Sequence, residues 1–250
     1  MSAIIGHTGF VGSHLDVGFD FTHRFNSSNI HQIVDLDTDV LVCAGLPAEK
    51  WKANSNPQTD WDNTLQLSEN LSRVTANQAI LISTIDVYQP AQGATEFDPP
   101  TPNGFEAYGR NRAWFEGFFA SHFENSHIIR LPGLFGANLR KNLIYDLMHD
   151  REDQIIRVNA NSKFQFFNVS KIWNYINAAM AQNFKVLNLS TEPITAQETA
   201  DIFGYKLSDE GSFVEYNMKS AYFEYFQGKD GYLIGKESVK ADILEFSKQR

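Results

Sequence analysis

The residues best suited to do chemistry begin with Gly6-His7-Thr8-Gly9-Phe10-Val11-Gly12, which follows the apolar run Ser2 to Ile5 and opens a helical pattern. Glycine reaches positive φ in a tight turn and lets backbone amides approach a pyrophosphate. The N-terminus of the following helix adds a partial positive charge. Three glycines alone would make an ordinary turn, but a strand before them and a helix after make a cradle for a dinucleotide, NAD or NADP. The cradle residues are Gly6, Thr8, Gly9, Phe10, Val11 and Gly12, joined by Ala44 and Gly45 at the end of a later apolar run, Val40 to Ala44.

A free ribose 2′-hydroxyl calls for an acidic residue at the end of the second strand. That stretch reads Thr22-His23-Arg24-Phe25-Asn26-Ser27-Ser28 and has no carboxylate. Arg24, Asn26 and Ser27 are suited to a 2′-phosphate instead, which mildly favours NADP, although solvated loop residues would look the same.

A second group of reactive residues lies further along. Tyr108 and Arg112 are spaced to share one helical face, and an adjacent cation favours tyrosinate. Such a tyrosine serves as acid or base toward a hydroxyl or carbonyl. Ser83-Thr84-Ile85-Asp86-Val87-Tyr88 sits where an apolar strand runs out, so that Ser83 or Thr84 would turn a hydroxyl into the same crevice, with Asp86 close by. Packing explains an aromatic near a helix start equally well, and strand-end capping explains the hydroxyls.

The elements that must position these groups alternate. Strands are expected at Ser2 to Ile5, Phe19 to Phe25, Val40 to Ala44, Ala79 to Ile82 and Ile128 to Leu131. Between them lie a short helix from Phe10 that Gly18 stops, an amphipathic helix from Asp60 carrying Trp61, Leu65, Leu67 and Leu71, and a long helix from Phe105 to Phe123 behind the turn-rich loop 98–104. This is the rhythm of an α/β chain with a Rossmann-type, doubly wound parallel sheet. Beyond Pro132 the rhythm loosens: Asn142 to His149 reads as helix, Phe164 to Val169 as strand, Lys171 to Met180 as helix and Lys185 to Leu189 as strand, before a small α+β tail from Thr195. The expected division is a dinucleotide-binding domain over 1–133 and 164–190, with a substrate-binding cap over 134–163 and 191–250.

Composition bounds the remaining possibilities. With 250 residues, 42% of them hydrophobic, the chain can build its core without disulfides or metal. A formal charge of -9 repels nucleic acid and anionic membranes, so any phosphate must be held locally. The single cysteine, Cys43, the scattered histidines and the lack of a long apolar segment lead us to expect no metal site, no membrane span and a cytoplasmic setting.

Taken together, these residues resemble the extended short-chain dehydrogenase/reductase family, in its NAD-dependent epimerase/dehydratase branch, over nearly the whole chain. Gly6, Gly9 and Gly12 match its GxxGxxG, and Ser83 to Tyr88 resembles its strand-end Ser/Thr segment. Tyr108 matches its catalytic tyrosine. Arg130-Leu131-Pro132-Gly133-Leu134-Phe135-Gly136, Phe167-Asn168-Val169 and Leu187-Asn188-Leu189 follow in the family's order. The resemblance implies that Tyr108 is the acid/base, that Thr84 bonds the reacting sugar oxygen, and that the substrate is a nucleotide-activated sugar, with Asn138, Arg140 and Lys141 near its diphosphate. Asp86 falls where the dehydratases carry an acidic residue, but Ile85 stands where they carry their acid, which implies epimerisation or reduction rather than elimination.

The chain departs from the family at Arg112, where the pattern Tyr-x-x-x-Lys has lysine. Arginine keeps the charge but cannot relay a proton. The competing reading is therefore a dinucleotide-binding sensor or scaffold of the same fold with impaired turnover. The resemblance also implies a homodimer, whose surface Trp114, Phe115, Phe118 and Phe119 would extend unless they belong to the core.

Overall fold

Ser2, Ala3, Ile4 and Ile5 are all buried and form β1 (Ser2–Ile5). A strand covered on both faces is apolar at consecutive positions, which is why this run lacks a period of two. It pairs in parallel with β2 (His23–Phe25) on one side and β3 (Asp37–Cys43) on the other. With β4 (Thr75–Thr84), β5 (Ser126–Leu131) and β9 (Val186–Asn188) they make a six-stranded sheet of order β2-β1-β3-β4-β5-β9. The chain moves from β1 to β2 and then returns past β1 to β3. The order thus reverses between β1 and β3, where open parallel sheets leave a crevice at their carboxyl ends.

The computed structural model describes residues 1–101 and 106–249. The expected start of the long helix at Phe105 and the last three residues of its preceding turn, 102–104, lie outside those residues. The chain divides into two compact units, Met1–Pro90 with Asp98–Arg130 and Lys171–Leu187, and Ala91–Phe97 with Leu131–Ser170 and Asn188–Arg250.

In the first unit, α1 (Phe10–Val17), α2 (Lys50–Ser55), α3 (Pro57–Leu71), α4 (Ala107–His122) and α7 (Ile172–Ala181) accompany the sheet. Pro57 starts α3 at the position where its missing N–H costs nothing. The helix buries Asp60, Thr64, Leu67, Ser68 and Leu71, one stripe at helical spacing. The core gathers Ile5, Leu41, Leu71 and Leu81 with Phe115 and Phe119 of α4. Phe115 and Phe119 are fully buried, so of the two places open to these aromatics they take the core. Trp114 is exposed and stacks on Phe118 at 6.2 Å. Cys43 lies in this core, where burial pushes its thiol up to about 12, so it is an inert strand residue.

Two expectations need correction. The strand expected over Phe19 to Phe25 keeps only His23–Phe25, because Phe19 stacks on Trp173 of α7 at 5.3 Å instead of entering the sheet. The same indole ends α1: a Cβ at Gly18 would lie 2.2 Å from the Trp173 ring, whose Nε1 donates to Leu15 O at 3.0 Å. β4 runs well before Ala79, since Thr75 and Asn77 donate to Asp37 and Asp39 of β3 at 2.8 and 3.0 Å. Polar cross-strand pairs of this kind extend a strand that apolar patterning alone stops short.

The second unit has its own core of Phe135, Leu143, Ile144, Leu147, Phe166, Ile194, Ile243 and Phe246. β6 (Gly133–Phe135) pairs in parallel with β8 (Phe166–Asn168), and β7 (Lys163–Phe164) pairs antiparallel with β10 (Ile194–Thr195). The expected strand Phe164 to Val169 is thus two short strands that pair outside the six-stranded sheet, and 164–170 groups with the second unit. α5 (Leu143–Met148), capped by the Asn142 side chain, is followed by α6 (Glu152–Ile155), by α8 (Ala196–Asp201) with a Thr195/Glu198 capping box, and by α9 (Lys236–Ser247). No helix among the described residues is long and apolar enough to cross a membrane.

Candidate active site

The glycine turn closes β1 onto α1. Gly6 has φ +84°, donates to Phe25 O at 2.8 Å and accepts from Gly9 N–H at 2.9 Å. A Cβ on Gly6 would sit 2.2 Å from Ala44 O, and one on Gly12 would sit 1.9 Å from Gly6 O. These two glycines therefore let β1, α1 and the end of β3 approach one another. Gly9 does something different: as the N-cap it has φ -78°, and a Cβ there would meet only Gly6 O, at 3.2 Å. No side chain caps α1, and its first intrahelical bond is Ser13 N–H to Gly9 O at 2.9 Å. The amides of Phe10, Val11 and Gly12 thus form an uncapped helix mouth beside the exposed Thr8, at the edge where the strand order reverses. A pyrophosphate fits this donor set.

At the end of β2, Arg24 is less available than expected. Its Nε donates to Asp16 at 2.8 and 3.0 Å and its NH1 to Phe21 O at 2.6 Å. Asn26 accepts from Ser28, and Ser27 is exposed.

The second group of residues converges where β4 ends. Side chains alternate along a strand, and the alternation separates the two hydroxyls. Ser83 donates at 2.5 Å to Glu116 in a buried cluster with Arg130 and Tyr88, whereas the Thr84 hydroxyl contacts Asp86. Glu116 holds Arg130 through Nε and NH2, at 3.0 and 2.6 Å. Burial would lower the guanidinium pKa, but Glu116 overrides it and raises it above its usual value.

Tyr108 is buried on the first turn of α4, which approaches β4 closely because residue 109 is glycine. A Cβ there would lie 2.0 Å from Asp86 O. Asn54 of α2 accepts the Tyr108 N–H at 3.0 Å. Arg112 lies over the Tyr108 ring, 4.0 Å from its centroid, so the expected shared face is present. The expected chemistry is only partly so. Burial raises the Tyr108 pKa, and the Arg112 charge and the Thr84 hydroxyl oppose that without overcoming it; Asp86 and Asp60 add to the rise.

Arg112 is balanced by a residue that sequence reading missed. Asp60 of α3 accepts from Arg112 NH1 and, at 2.8 Å, from Asn111 Nδ2, while Arg112 NH2 donates to Pro47 O at 2.5 Å. Both side chains of the pair are almost fully buried, at 4% and 5% exposure. The signal was present, since Asp60 begins the buried stripe of α3, yet an acid in a first helical turn reads as a dipole partner. Lys50 was also missed. Its Nζ bridges Asp86 Oδ1 at 2.9 Å and Glu106 Oε2 at 2.8 Å, and Asp86 Oδ2 accepts from Thr84 Oγ1 at 3.3 Å.

The residues expected near a substrate diphosphate lie in the second unit. Asn138, with φ +64°, lines a cavity of about 250 Å³ with Tyr145, Met148 and His149, while Arg140 and Lys141 are exposed outside it. Among the described residues no group of three or more His, Cys, Asp or Glu is arranged to hold a metal ion.

No protein-family model matches the chain, and no curated protein matches it in sequence. Solved structures match its fold throughout. A dTDP-4-dehydrorhamnose reductase from Bacillus anthracis str. Ames, solved in complex with NADP, superposes with TM-score 0.77 at 14% identity, over 100% of this chain and 98% of that one. MoeE5 in complex with UDP-glucose and NAD gives 0.74 at 14% identity, over 99% and 98%. A UDP-galactose 4-epimerase gives 0.72 at 16% identity, over 100% and 99%. The chain thus shares the Rossmann-type α/β fold of these structures.

Proposed function

We propose that this chain is an NAD(P)-dependent enzyme that reduces or epimerises a nucleotide-activated sugar, with Tyr108 as its proton donor and acceptor. The observation that carries this reading is the presence, in one unit, of an uncapped glycine-lined helix mouth and of a buried Tyr108 covered by Arg112. Structures of the same fold include a dTDP-4-dehydrorhamnose reductase with NADP, MoeE5 with UDP-glucose and NAD, and a UDP-galactose 4-epimerase, which supports the substrate class and the cofactor. The nicotinamide supplies hydride transfer to and from a sugar carbon.

The chain's own residues do the rest. The amides of Phe10 to Gly12 hold the pyrophosphate. Thr84 orients the sugar oxygen, and Tyr108, kept neutral by burial, donates its proton to that oxygen as it gains charge. Arg112 holds the tyrosine ring from one side and is itself held by Asp60. The absence of an acid at Ile85 favours reduction or epimerisation over elimination.

The test begins with nicotinamide fluorescence titrations of NADH and NADPH, followed by a screen of dTDP- and UDP-sugars. Tyr108→Phe should abolish turnover while leaving dinucleotide affinity unchanged. A second reading, a dinucleotide-dependent sensor without turnover, is favoured by one observation, that Arg112 is committed to Asp60 and Pro47. Under that reading Tyr108→Phe changes nothing measurable in the protein's output.

A further inference from the structure

Helix α4 presents Tyr108 from its first turn, yet the residue at its N-cap does not cap it. Glu106 makes no side-chain hydrogen bond to the helix, and the first bond within α4 runs from Arg110 N–H to Glu106 O at 3.2 Å. The N–H groups of the first turn, that of Tyr108 among them, have no partner inside the helix. A helix start left in this state frays, and a fraying start would carry the tyrosine with it.

The missing partner comes from α2. Asn54 Oδ1 accepts the Tyr108 N–H at 3.0 Å. Lys50 stands four residues earlier, on the same face of α2. Its Nζ lies 2.8 Å from Glu106 Oε2 and 2.9 Å from Asp86 Oδ1, so the Glu106 carboxylate turns to α2 and not to its own helix. Just before α2, Pro47 O accepts from Arg112 NH2 at 2.5 Å. This segment therefore holds α4 before the tyrosine, at it and one turn after it, while Gly109 lets the same turn close against Asp86 O.

We infer that Asn54 is a positioning residue for Tyr108, capping α4 from a neighbouring helix, with Lys50 keeping the two helices in register through Glu106. A cap on the chain just before α4 would fix the helix only to its own lead-in. A cap on α2, which follows the end of β3, fixes it to the strand whose Ala44 O packs against Gly6 of the glycine turn. Tyr108 is thereby registered to the edge where the dinucleotide would lie. The role in turnover rests on the reading of Tyr108 as acid and base given above; the cap does not. Asn54 touches neither the sugar nor the moving proton. Its effect is geometric, and a misplacement of about 1 Å at a reacting group costs up to about a hundredfold in rate.

The test compares Asn54→Leu and Asn54→Ala, which remove the acceptor, with Asn54→Asp, which keeps one. Amide hydrogen exchange at Tyr108, read by NMR, tests the cap without any substrate. Exchange should be slow in wild type and in Asn54→Asp, and faster by about fivefold or more in the other two. Turnover is read with dTDP-4-dehydrorhamnose and NADPH or NADH, well below the melting temperature of each variant. The expected kcat is lower by about tenfold or more in Asn54→Leu and Asn54→Ala, with KM and dinucleotide affinity unchanged, and is restored in Asn54→Asp. Unchanged Tyr108 exchange in Asn54→Leu and Asn54→Ala overturns the cap. Faster exchange with an unchanged kcat, or an Asn54→Asp enzyme as slow as Asn54→Leu, overturns the positioning role and leaves the enzyme reading standing. No cofactor oxidation by the wild-type protein overturns that reading and the role together, and the exchange rates still decide the cap.

Discussion

Arg112 enters the interior together with its counter-ion, and its energetics follow from that. A buried ion pair contributes little net stability, but removing one partner strands a charge. Asp60→Ala is therefore expected to lower the unfolding free energy by about 3–5 kcal/mol, read from denaturant midpoints. The double replacement Asp60→Leu with Arg112→Met should recover most of that loss. An Asp60→Ala protein as stable as wild type would show that the pair is not buried as described. For Tyr108, Phe substitution should lower kcat by about a hundredfold or more while nicotinamide titrations stay unchanged. Tyr108 was legible because its type and place beside a helix start are distinctive. Asp60 and Lys50 were not, because their partners, Arg112 and Asp86, are distant in sequence and only the fold brings them together.

Glycines decide how closely the elements of the first unit approach. Gly109→Ala would press a methyl against Asp86 O, 2.0 Å away, and push α4 from the end of β4. The expected cost is about 1–3 kcal/mol, together with a loss of turnover as Tyr108 is displaced. Gly9 is less confined, since its backbone angles suit any residue and a Cβ there would press only on Gly6 O, at 3.2 Å. Gly9→Asp caps α1 and should keep or slightly raise stability while placing a negative charge where the pyrophosphate would bind. β5 contributes a pH response through His127, which bonds Phe184 O at 2.8 Å and Gln78 Oε1 at 2.9 Å and whose pKa burial lowers from 6.5. The unfolded chain then binds the proton more readily than the folded one. The stability due to His127 is fully present above about 6.5 and is lost as pH falls through the lower, folded pKa. Unfolding free energies at acidic and neutral pH should differ less in His127→Asn than in wild type. Most strands and helices were legible because buried runs and helical stripes leave direct marks on the sequence. The aromatic packing that shortens β2 and the split between β7 and β8 leave none, since both depend on residues far along the chain.

For the whole molecule, the alternation of strands and helices announced a parallel sheet, and the strand order that places a crevice beside Gly6 agrees with it. The sugar is not legible, because Asn138, Arg140 and Lys141 belong to loops whose polar residues fit many ligands. With a formal charge of -9, the molecule must draw a dinucleotide phosphate by local donors, not by its overall field. A ligand that binds only the folded chain also stabilises it, by about 2.7 kcal/mol at a hundredfold excess over Kd. The most direct measurement is a titration of wild-type protein and Gly9→Asp with NADPH and NADH, followed by nicotinamide fluorescence and by melting temperature. The account predicts micromolar or tighter binding of at least one dinucleotide to wild type with a rise in melting temperature, and no binding to a Gly9→Asp protein that melts no lower than wild type without ligand. Failure of wild type to bind either dinucleotide, or binding that Gly9→Asp leaves intact, would contradict it.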